Sequence, residues 1–169
     1  MDKKTVYFSD NFFSSGETDI YTENKKVVGV LDLRSAFSSK VDVKTPDGEI
    51  VVSGAFAFFS NRWVVSNHRE AEIGQLRKKM AFFKSVYEYH TNDRGVFRLE
   101  NPAFSKEFTL YHPNENLAAH FKRINGFFES SAFELTNLCS DLSTEELVAV
   151  VMGMNEIKKR EATQSNSAT

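Results

Sequence analysis

The chain has 169 residues, which is enough for a single domain with a real core. A formal net charge of −2 excludes a general electrostatic attraction to nucleic acid, and the single cysteine excludes a disulfide framework. The N-terminal stretch MDKKTVYFSDNFF has no apolar run long enough for a signal peptide, and no run approaches the roughly 20 residues of a membrane-spanning helix. We therefore expect a soluble, cytoplasmic protein without a transmembrane segment.

Phenylalanine is unusually frequent, with 16 residues, and many of them fall in short words that recur along the chain. The words are FFSS at 12–15, AFSS at 36–39, FFSN at 58–61, FFKS at 82–85, AFSK at 103–106 and FFES at 127–130. The second residues of successive words are 21 to 24 positions apart. A nearly fixed period of this size indicates an internal structural repeat.

Each Phe-Ser word is followed by the same order of local patterns. A run rich in Val, Ile and aromatic residues, such as RWVVS at 62–66, predicts a strand. A turn signal follows, clearest in Pro46-Asp47-Gly48, and then a second strand-like run such as IVVSGAF at 50–56. With one strand before the first word and one after the sixth, the sequence predicts about twelve strands.

The last element in chain order is a helix at about 144–160. Ser143 and Glu146 have the spacing of a capping box, and Leu142 and Leu147 could form a hydrophobic staple. The basic residues 158–160 are expected to complement the helix dipole at its C-terminal end. The sequence thus specifies a helix with defined ends.

The middle of this helix is apolar on every side, which predicts burial all round. The side chains expected in the interior are Leu147, Val148, Val150, Val151, Met152 and Met154. Residues 1–160 are expected to form one domain, and the small, polar tail at 161–169 is expected to be disordered.

Twelve strands could surround such a helix. Strands about 4.8 Å apart and tilted by about 40° close into a barrel with a radius of about 12 Å, which leaves room for a helix and one shell of side chains. Gly153 and Ala149 would let strand side chains approach the helix closely. We predict a mainly β fold, a closed and mostly antiparallel barrel of about twelve strands around the C-terminal helix. The alternatives are a two-sheet sandwich with the helix lying across it, and a membrane hairpin or lipid anchor.

The Phe-Ser words, FFSNRWVV at 58–65 and STEELVAVVMGMNEIKKR at 143–160 resemble the LURP-one-related branch of the tubby-like superfamily, as found in small bacterial proteins. The resemblance covers about residues 5–160. It implies the fold of the tubby C-terminal domain and of phospholipid scramblases. It also implies functions such as phosphoinositide binding or action at membranes. No tubby lipid-binding residue can be placed on this sequence, and the cysteine-rich acylation segment of scramblases is absent.

Strands that alternate in direction place all hairpin tips at one end of a barrel and all Phe-Ser corners at the other. The tips are richer in acidic residues and the corners in basic residues, most densely in RKKMAFFK at 77–84. The candidate contacts with anionic lipid or an acidic partner are Arg77, Lys78, Lys79, Lys84, Lys122 and Arg123. Alternatively, the phenylalanines of this end fill the core and the charges are merely solvated.

No constellation predicts catalysis, a cofactor or a metal site. His90 and His112 occupy matching places before two turns, but no further ligand set accompanies them. Cys139 has no neighbouring positive charge to activate it. We expect a non-catalytic module without cofactor that binds anionic phospholipid, or a protein partner, through the basic barrel end. The alternative is a lipid-handling protein, scramblase-like or lipid-carrying, with a movable central helix.

Overall fold

The structure, a computed structural model, describes residues 5–14, 16–35, 38–81, 84–102, 105–128 and 131–167. Within these residues the chain forms twelve strands, a short 3₁₀ helix at Asp10–Phe13 and one α-helix, α1, at Thr144–Ser167. The strands are β1 (Thr5–Ser9), β2 (Gly16–Tyr21), β3 (Val27–Ser35), β4 (Ser38–Lys44), β5 (Ile50–Phe56), β6 (Trp63–Asn67), β7 (Glu72–Lys79), β8 (Ser85–Thr91), β9 (Val96–Asn101), β10 (Phe108–Tyr111), β11 (Leu117–Ile124) and β12 (Ala132–Asn137).

The strands close into one barrel, which confirms the predicted fold class. Every neighbouring pair is antiparallel. Around the ring the strands follow one another in chain order from β1 to β12, and β12 pairs with β1. The seam is closed by β1 and β12, whose register runs from Thr5 opposite Thr136 to Ser9 opposite Ala132. The other side of β1 is held more weakly, because Tyr7 opposite Tyr21 is the single register pair with β2 among the described residues.

The five hairpin tips share one backbone hydrogen bond across the turn, which is a structural counterpart of the sequence repeat. In each tip, the first residue of the turn donates its N–H to the carbonyl four positions later, as Thr45 does to Glu49 at 2.8 Å. Each tip also contains one residue with a positive φ: Lys25, Gly48, Glu70, Gly95 and Glu115. Three of these are not glycine, so the turn hydrogen bonds hold a backbone conformation that a side chain disfavours.

The phenylalanines of the Phe-Ser words do not share one environment. Phe12 is fully buried, whereas Phe58 and Phe59 are 88% and 96% exposed. Phe127 folds back onto the barrel wall and stacks on Tyr7, with ring centroids 4.1 Å apart. The phenylalanines at 37, 82, 83 and 104 in the remaining words lie outside the described residues. The repeat therefore fixes where strands begin, and each corner places its aromatic side chains separately.

The helix passes through the barrel from the tip end to the corner end. All residues from Thr144 to Met154 are buried, including the six that were predicted, and each of those six is at most 2% exposed. Ser143 caps the helix by accepting the N–H of Glu146 at 3.1 Å, as expected. The dry central helix of the prediction is confirmed.

The C-terminal half of the helix differs from the expectation. The helix continues to Ser167, so residues 161–167, which we expected to be a disordered tail, are helical, and most of them are exposed. The basic residues 158–160 consequently lie inside the helix and not in its last turn. They cannot complement the dipole as predicted, and they instead reach the corners of the barrel.

A tryptophan sets the closest contact between helix and barrel. Trp63 is fully buried on β6, and its indole N–H donates to the Ala149 carbonyl at 3.0 Å. A methyl group on Gly153 would lie 2.3 Å from the indole ring, and one on Gly54 of β5 would lie 2.6 Å from it. Both glycines are therefore needed because the ring fills the space where their side chains would be. The predicted close approach at Gly153 and Ala149 is correct.

The opposite side of the interior is filled by phenylalanine. Phe121 and Phe133 stack with centroids 5.0 Å apart, and Phe121 also stacks on Phe108 at 5.5 Å. Phe8 and Phe12 join the same cluster, with centroids 4.1 Å apart. The helix lies closer to β4–β7 than to this wall, so large aromatic side chains from β1 and β10–β12 occupy the remaining width.

The N-terminal turn of the helix is fixed by a buried ion pair at the tip end. Arg94 in the β8–β9 tip donates two hydrogen bonds to the Glu146 carboxylate, at 2.7 and 2.9 Å. The Tyr89 hydroxyl donates a third, at 2.5 Å, and burial together with Glu146 raises the pKa of Tyr89. The Glu146 side chain is only 4% exposed, so its charge depends on these donors.

We predict that Gly153→Ala lowers the free energy of unfolding by about 1–2 kcal/mol. Overpacking against Trp63 costs about 1–3 kcal/mol, and the better helix propensity of alanine recovers up to about 1 kcal/mol. Urea unfolding measures the change. The exposed substitution Gln164→Ala is the control and should stay within about 0.5 kcal/mol of the wild type. A Gly153→Ala protein as stable as the wild type would mean that the indole does not abut the helix.

We predict that Arg94→Met lowers the free energy of unfolding by about 3 kcal/mol, because it leaves the buried Glu146 carboxylate without its cationic partner. The double variant Arg94→Met/Glu146→Leu should regain much of that stability, since no charge then remains to be desolvated. Arg98→Met is the matched control: Arg98 pairs with Glu100 and Glu115 on the outer wall, where an ion pair is worth about 1 kcal/mol or less. Equal losses for the two arginine variants would contradict the buried-pair interpretation.

Candidate functional site

Three consecutive cations on the helix reach three different corners of the barrel. Lys158 donates to the Ser105 carbonyl at 2.9 Å, and Arg160 donates to the Ser60 carbonyl at 2.9 Å. Lys159 lies 3.4 Å from the Phe13 carbonyl, a weaker contact. Successive helix residues point about 100° apart, so the three side chains spread around the helix. They attach the C-terminal half of the helix to the backbone of the corner end.

Burial lowers the pKa of Lys158, and the neighbouring charge of Lys78 lowers it further. The Arg160 guanidinium also lies over the Phe56 ring, 3.5 Å from its centroid, a cation–π contact. Both cations are thus held by the fold at the corner end. Their positions are defined by packing as well as by hydrogen bonds.

A pocket of about 350 Å³ opens beside Arg160, between the helix, the β5–β6 corner and the end of β7. Its wall includes four cationic side chains and one carboxylate: Arg62, Arg77, Lys78, Arg160 and Glu161. Phe56 and Ile157 supply an apolar floor. We call this cavity the corner pocket. Its composition suits an anionic ligand with a small apolar part.

Two arginines of the corner pocket share one neutral acceptor. Arg62 and Arg77 each donate to the same side-chain oxygen of Gln75 at 2.8 Å. No carboxylate pairs with either guanidinium among the residues that the structure describes. Two like charges therefore lie close together with a neutral group as their shared acceptor, which is an arrangement that favours anion binding.

Large apolar side chains are exposed on two neighbouring corners. Phe58 and Phe59, in the β5–β6 corner, are almost fully exposed, as is Met80 in the β7–β8 corner. Phe59 has a φ of 52°, in the left-handed region that a bulky residue rarely adopts. The alternative that phenylalanines of the stretch 77–84 fill the core concerns Phe82 and Phe83, which lie outside the described residues. Exposed apolar side chains of this size indicate a contact surface.

The structure brings four of the six predicted cations together and separates the other two. Arg77, Lys78 and Lys79 end β7, and Lys84 lies in the corner that follows. Lys122 and Arg123 lie near the end of β11, four strands away around the barrel. The six residues thus lie on two separate parts of the corner end.

Several predicted cations have carboxylate partners on the outer wall. Lys79 pairs with Glu88 and Lys84 with Glu100, each at 2.6 Å, and Lys122 pairs with Glu134 at 3.1 Å. The lysines hold the pKa of Glu88 and of Glu100 below the usual value. These lysines are less available to a ligand than Arg77, whose partner is an amide.

Sequence reasoning missed three members of the corner pocket. Arg62 follows the third Phe-Ser word directly and carries no sequence signal beyond its charge, and Arg160 belongs to the basic stretch predicted to complement the helix dipole. Glu161 was placed in the tail, yet it lies 2.5 Å from Lys78 across the pocket. The helical spacing of Ile157, Arg160 and Glu161 could have indicated one face, had the helix been extended past residue 160.

The fold can now be compared with known proteins. A family model described as LURP-one-related matches residues 4–152. The chain belongs to the LURP-one-related family. The X-ray structure of a protein from Arabidopsis thaliana is similar, with a TM-score of 0.62 over 91% of this chain and 90% of that chain. At 12% identity this likeness supports the fold, a tubby-like barrel. No curated protein matches the chain.

The LURP-one-related family is not known as enzymatic. Within the described residues, no group of three or more His, Cys, Asp or Glu side chains could hold a metal ion. His90 contacts Glu88 at 3.0 Å and His112 contacts Asp141 at 2.5 Å, so each predicted histidine has a carboxylate partner of its own. None of the helices in the described part of the chain is long and apolar enough to cross a membrane.

The ion pairs of β8 and β9 can be tested by titration. We predict that Lys79→Ala raises the pKa of Glu88 towards its ordinary value of 4.5, because the lysine hydrogen bond is the largest cause of its lowered pKa. NMR titration of the Glu88 carboxyl measures the shift, and Lys122→Ala is the control that should leave it unchanged. In the wild type, the stability from this pair is present above pH 4.5 and is lost as the pH falls through the lowered pKa. An unchanged Glu88 pKa would contradict the pairing.

Proposed function

We propose that this LURP-one-related protein is a non-catalytic binding module that docks on anionic phospholipid surfaces through the corner end of its barrel. The observation that carries the proposal is the almost complete exposure of Phe58, Phe59 and Met80 on two neighbouring corners. Side chains of this size gain about 1.5–3 kcal/mol each when they leave water for an apolar environment. A lipid headgroup layer offers that environment without needing a complementary protein surface.

The charges around these side chains support the same partner. Arg62, Arg77 and Arg160 lie at the corner end near the exposed aromatic residues. A basic group near an anionic membrane contributes about 1 kcal/mol. Apolar insertion and charge attraction together are what stable, reversible membrane binding requires. The proposed location is accordingly the cytoplasm and, peripherally, its membrane surface.

An acidic protein partner is the second occupant that the charges alone would accept. The scramblase-like or lipid-carrying alternative has less support, because the helix is held by Arg94 at one end, by Trp63 in the middle and by Arg160 at the other end. A helix attached at three levels is a poor candidate for a moving part. The membrane proposal needs no movement of the helix.

Vesicle co-sedimentation tests the proposal. We expect binding to vesicles of phosphatidylcholine with phosphatidylserine and little binding to phosphatidylcholine alone. The triple variant Phe58→Ser/Phe59→Ser/Met80→Ser should lose about tenfold or more in affinity, since even one lost apolar contact is worth that factor. Because all three side chains are exposed, its urea unfolding curve should match the wild type.

Leu117→Ser is the matched control, since Leu117 is half-exposed at the tip end of the barrel. It should bind vesicles as the wild type does. Loss of binding in the Leu117 variant, or wild-type binding by the triple variant, would contradict the corner end as the membrane face. Absence of binding to any vesicle would leave the acidic protein partner as the function to pursue.

A further inference from the structure

We infer that the corner pocket binds the phosphate of a phosphomonoester and that Glu161 of the same chain occupies part of this site as an internal competitor. The inference deepens the proposed membrane function, because a phosphomonoester can be the headgroup of a lipid. A free, soluble phosphomonoester carries the same chemistry. Titration with soluble phosphates and binding to vesicles distinguish these two sources.

The two arginines of the corner pocket have a neutral group as their shared partner. Arg62 and Arg77 converge on one oxygen of Gln75, which is neutral, and so their two positive charges stand side by side. A guanidinium presents paired N–H donors that match the oxygens of a phosphate group. An anion that bridged the two side chains would remove their repulsion and satisfy donors that Gln75 leaves over. The pocket therefore contains a preformed anion site.

A carboxylate of the chain itself already lies in the pocket. Glu161 accepts a hydrogen bond from Lys78 at 2.5 Å, and its negative charge adds to the effect of burial in raising the pKa of Tyr87 to about 12. Glu161 follows Arg160 directly, and Arg160 is fixed on the Phe56 ring. The fold thus delivers one carboxylate to the cationic wall, where it stands in for an anionic ligand.

The cationic wall of the pocket favours a ligand with more than one negative charge. A single carboxylate satisfies Lys78 and leaves the Arg62–Arg77 pair without an anion. A phosphomonoester carries about −1.5 to −2 charges at pH 7 and three acceptor oxygens, as a phosphorylated side chain does. One such group offers enough acceptors for two guanidiniums and a lysine together. A volume of about 350 Å³ is also at the lower end of small-ligand sites, which suits a phosphate with a short organic part.

Because Glu161 already accepts a hydrogen bond from Lys78, it competes with a bound phosphate for this lysine. A phosphate that reaches Lys78 must displace Glu161 or accept its repulsion at short range. Removing the Glu161 charge should therefore strengthen binding, whereas removing a pocket arginine should weaken it. This pair of opposite effects distinguishes a specific site from a general attraction to positive charge, which any lost carboxylate would increase slightly.

Isothermal titration with glycerol 3-phosphate, and separately with inorganic phosphate, tests the soluble form. We expect Glu161→Gln to bind about tenfold more tightly than the wild type, and Arg77→Gln to bind about tenfold more weakly. Glu156→Gln is the matched control, because Glu156 lies on the same helix and pairs with Lys159 outside the pocket. It removes the same charge and should leave the affinity within about twofold. Arg77 is exposed, so its variant should fold normally, which a thermal melt verifies.

Vesicles test the lipid form. Phosphatidic acid presents a phosphomonoester, whereas phosphatidylserine presents a phosphodiester. We expect Glu161→Gln to increase binding to phosphatidic acid vesicles more than to phosphatidylserine vesicles, and Arg77→Gln to remove the difference between the two lipids. Preference for phosphatidic acid without soluble binding would support a lipid source, and soluble binding without vesicle binding would support a free ester.

The two proposals fail separately. Binding to phosphatidylserine and phosphatidic acid vesicles alike, unaffected by Glu161→Gln and Arg77→Gln and without soluble phosphate binding, would overturn the pocket inference and leave membrane docking intact. Equal gains for Glu161→Gln and Glu156→Gln would also overturn it, since general charge would then explain the effect. Tight binding of glycerol 3-phosphate by a protein that ignores all vesicles would overturn membrane docking and support the pocket.

Discussion

The contact between the indole ring of Trp63 and the central helix is the constraint on which the architecture depends. The ring covers Gly54 on the neighbouring strand and abuts Gly153 on the helix, while its N–H bonds to the Ala149 carbonyl. This contact fixes the distance, the rotation and the height of the helix relative to one wall. The phenylalanines of the opposite wall then fill a width that is already set. A close-packed interior of this kind tolerates little change in side-chain volume.

Because the helix is fixed in the middle, its two ends become defined positions for charge. Arg94 neutralises Glu146 where the helix begins, and the basic residues 158–160 attach it to the corners where it leaves the strands. The corner pocket depends on this arrangement, since Arg160 and Glu161 lie on the same helix and reach the pocket from it. Exposed aromatic side chains stand next to the pocket on loops that the barrel closure holds in place. The functional proposals therefore concern one end of the molecule.

The barrel and its helix could be predicted from the sequence because local residue patterns indicate both. The regular spacing of the Phe-Ser words predicts the number of strands. The apolar run at 147–154 predicts a helix that is buried on all sides. The candidate site was harder to predict from the sequence. Lys79 and Lys84 looked free in the sequence, but cross-strand neighbours on β8 and β9 pair with them, and register is set by the whole sheet. Glu161 was missed because polar residues at a chain end carry no periodic signal, although the helix continues through them.

The pairing of β1 with β12 has a consequence for synthesis. The first strand finds its partner about 130 residues later, and the helix that fills the interior comes later still. A nascent chain on the ribosome cannot close its sheet until almost the whole polypeptide has emerged. Until then, the inward faces of the earlier strands have no helix to cover them, and exposed strand edges and apolar surface favour aggregation.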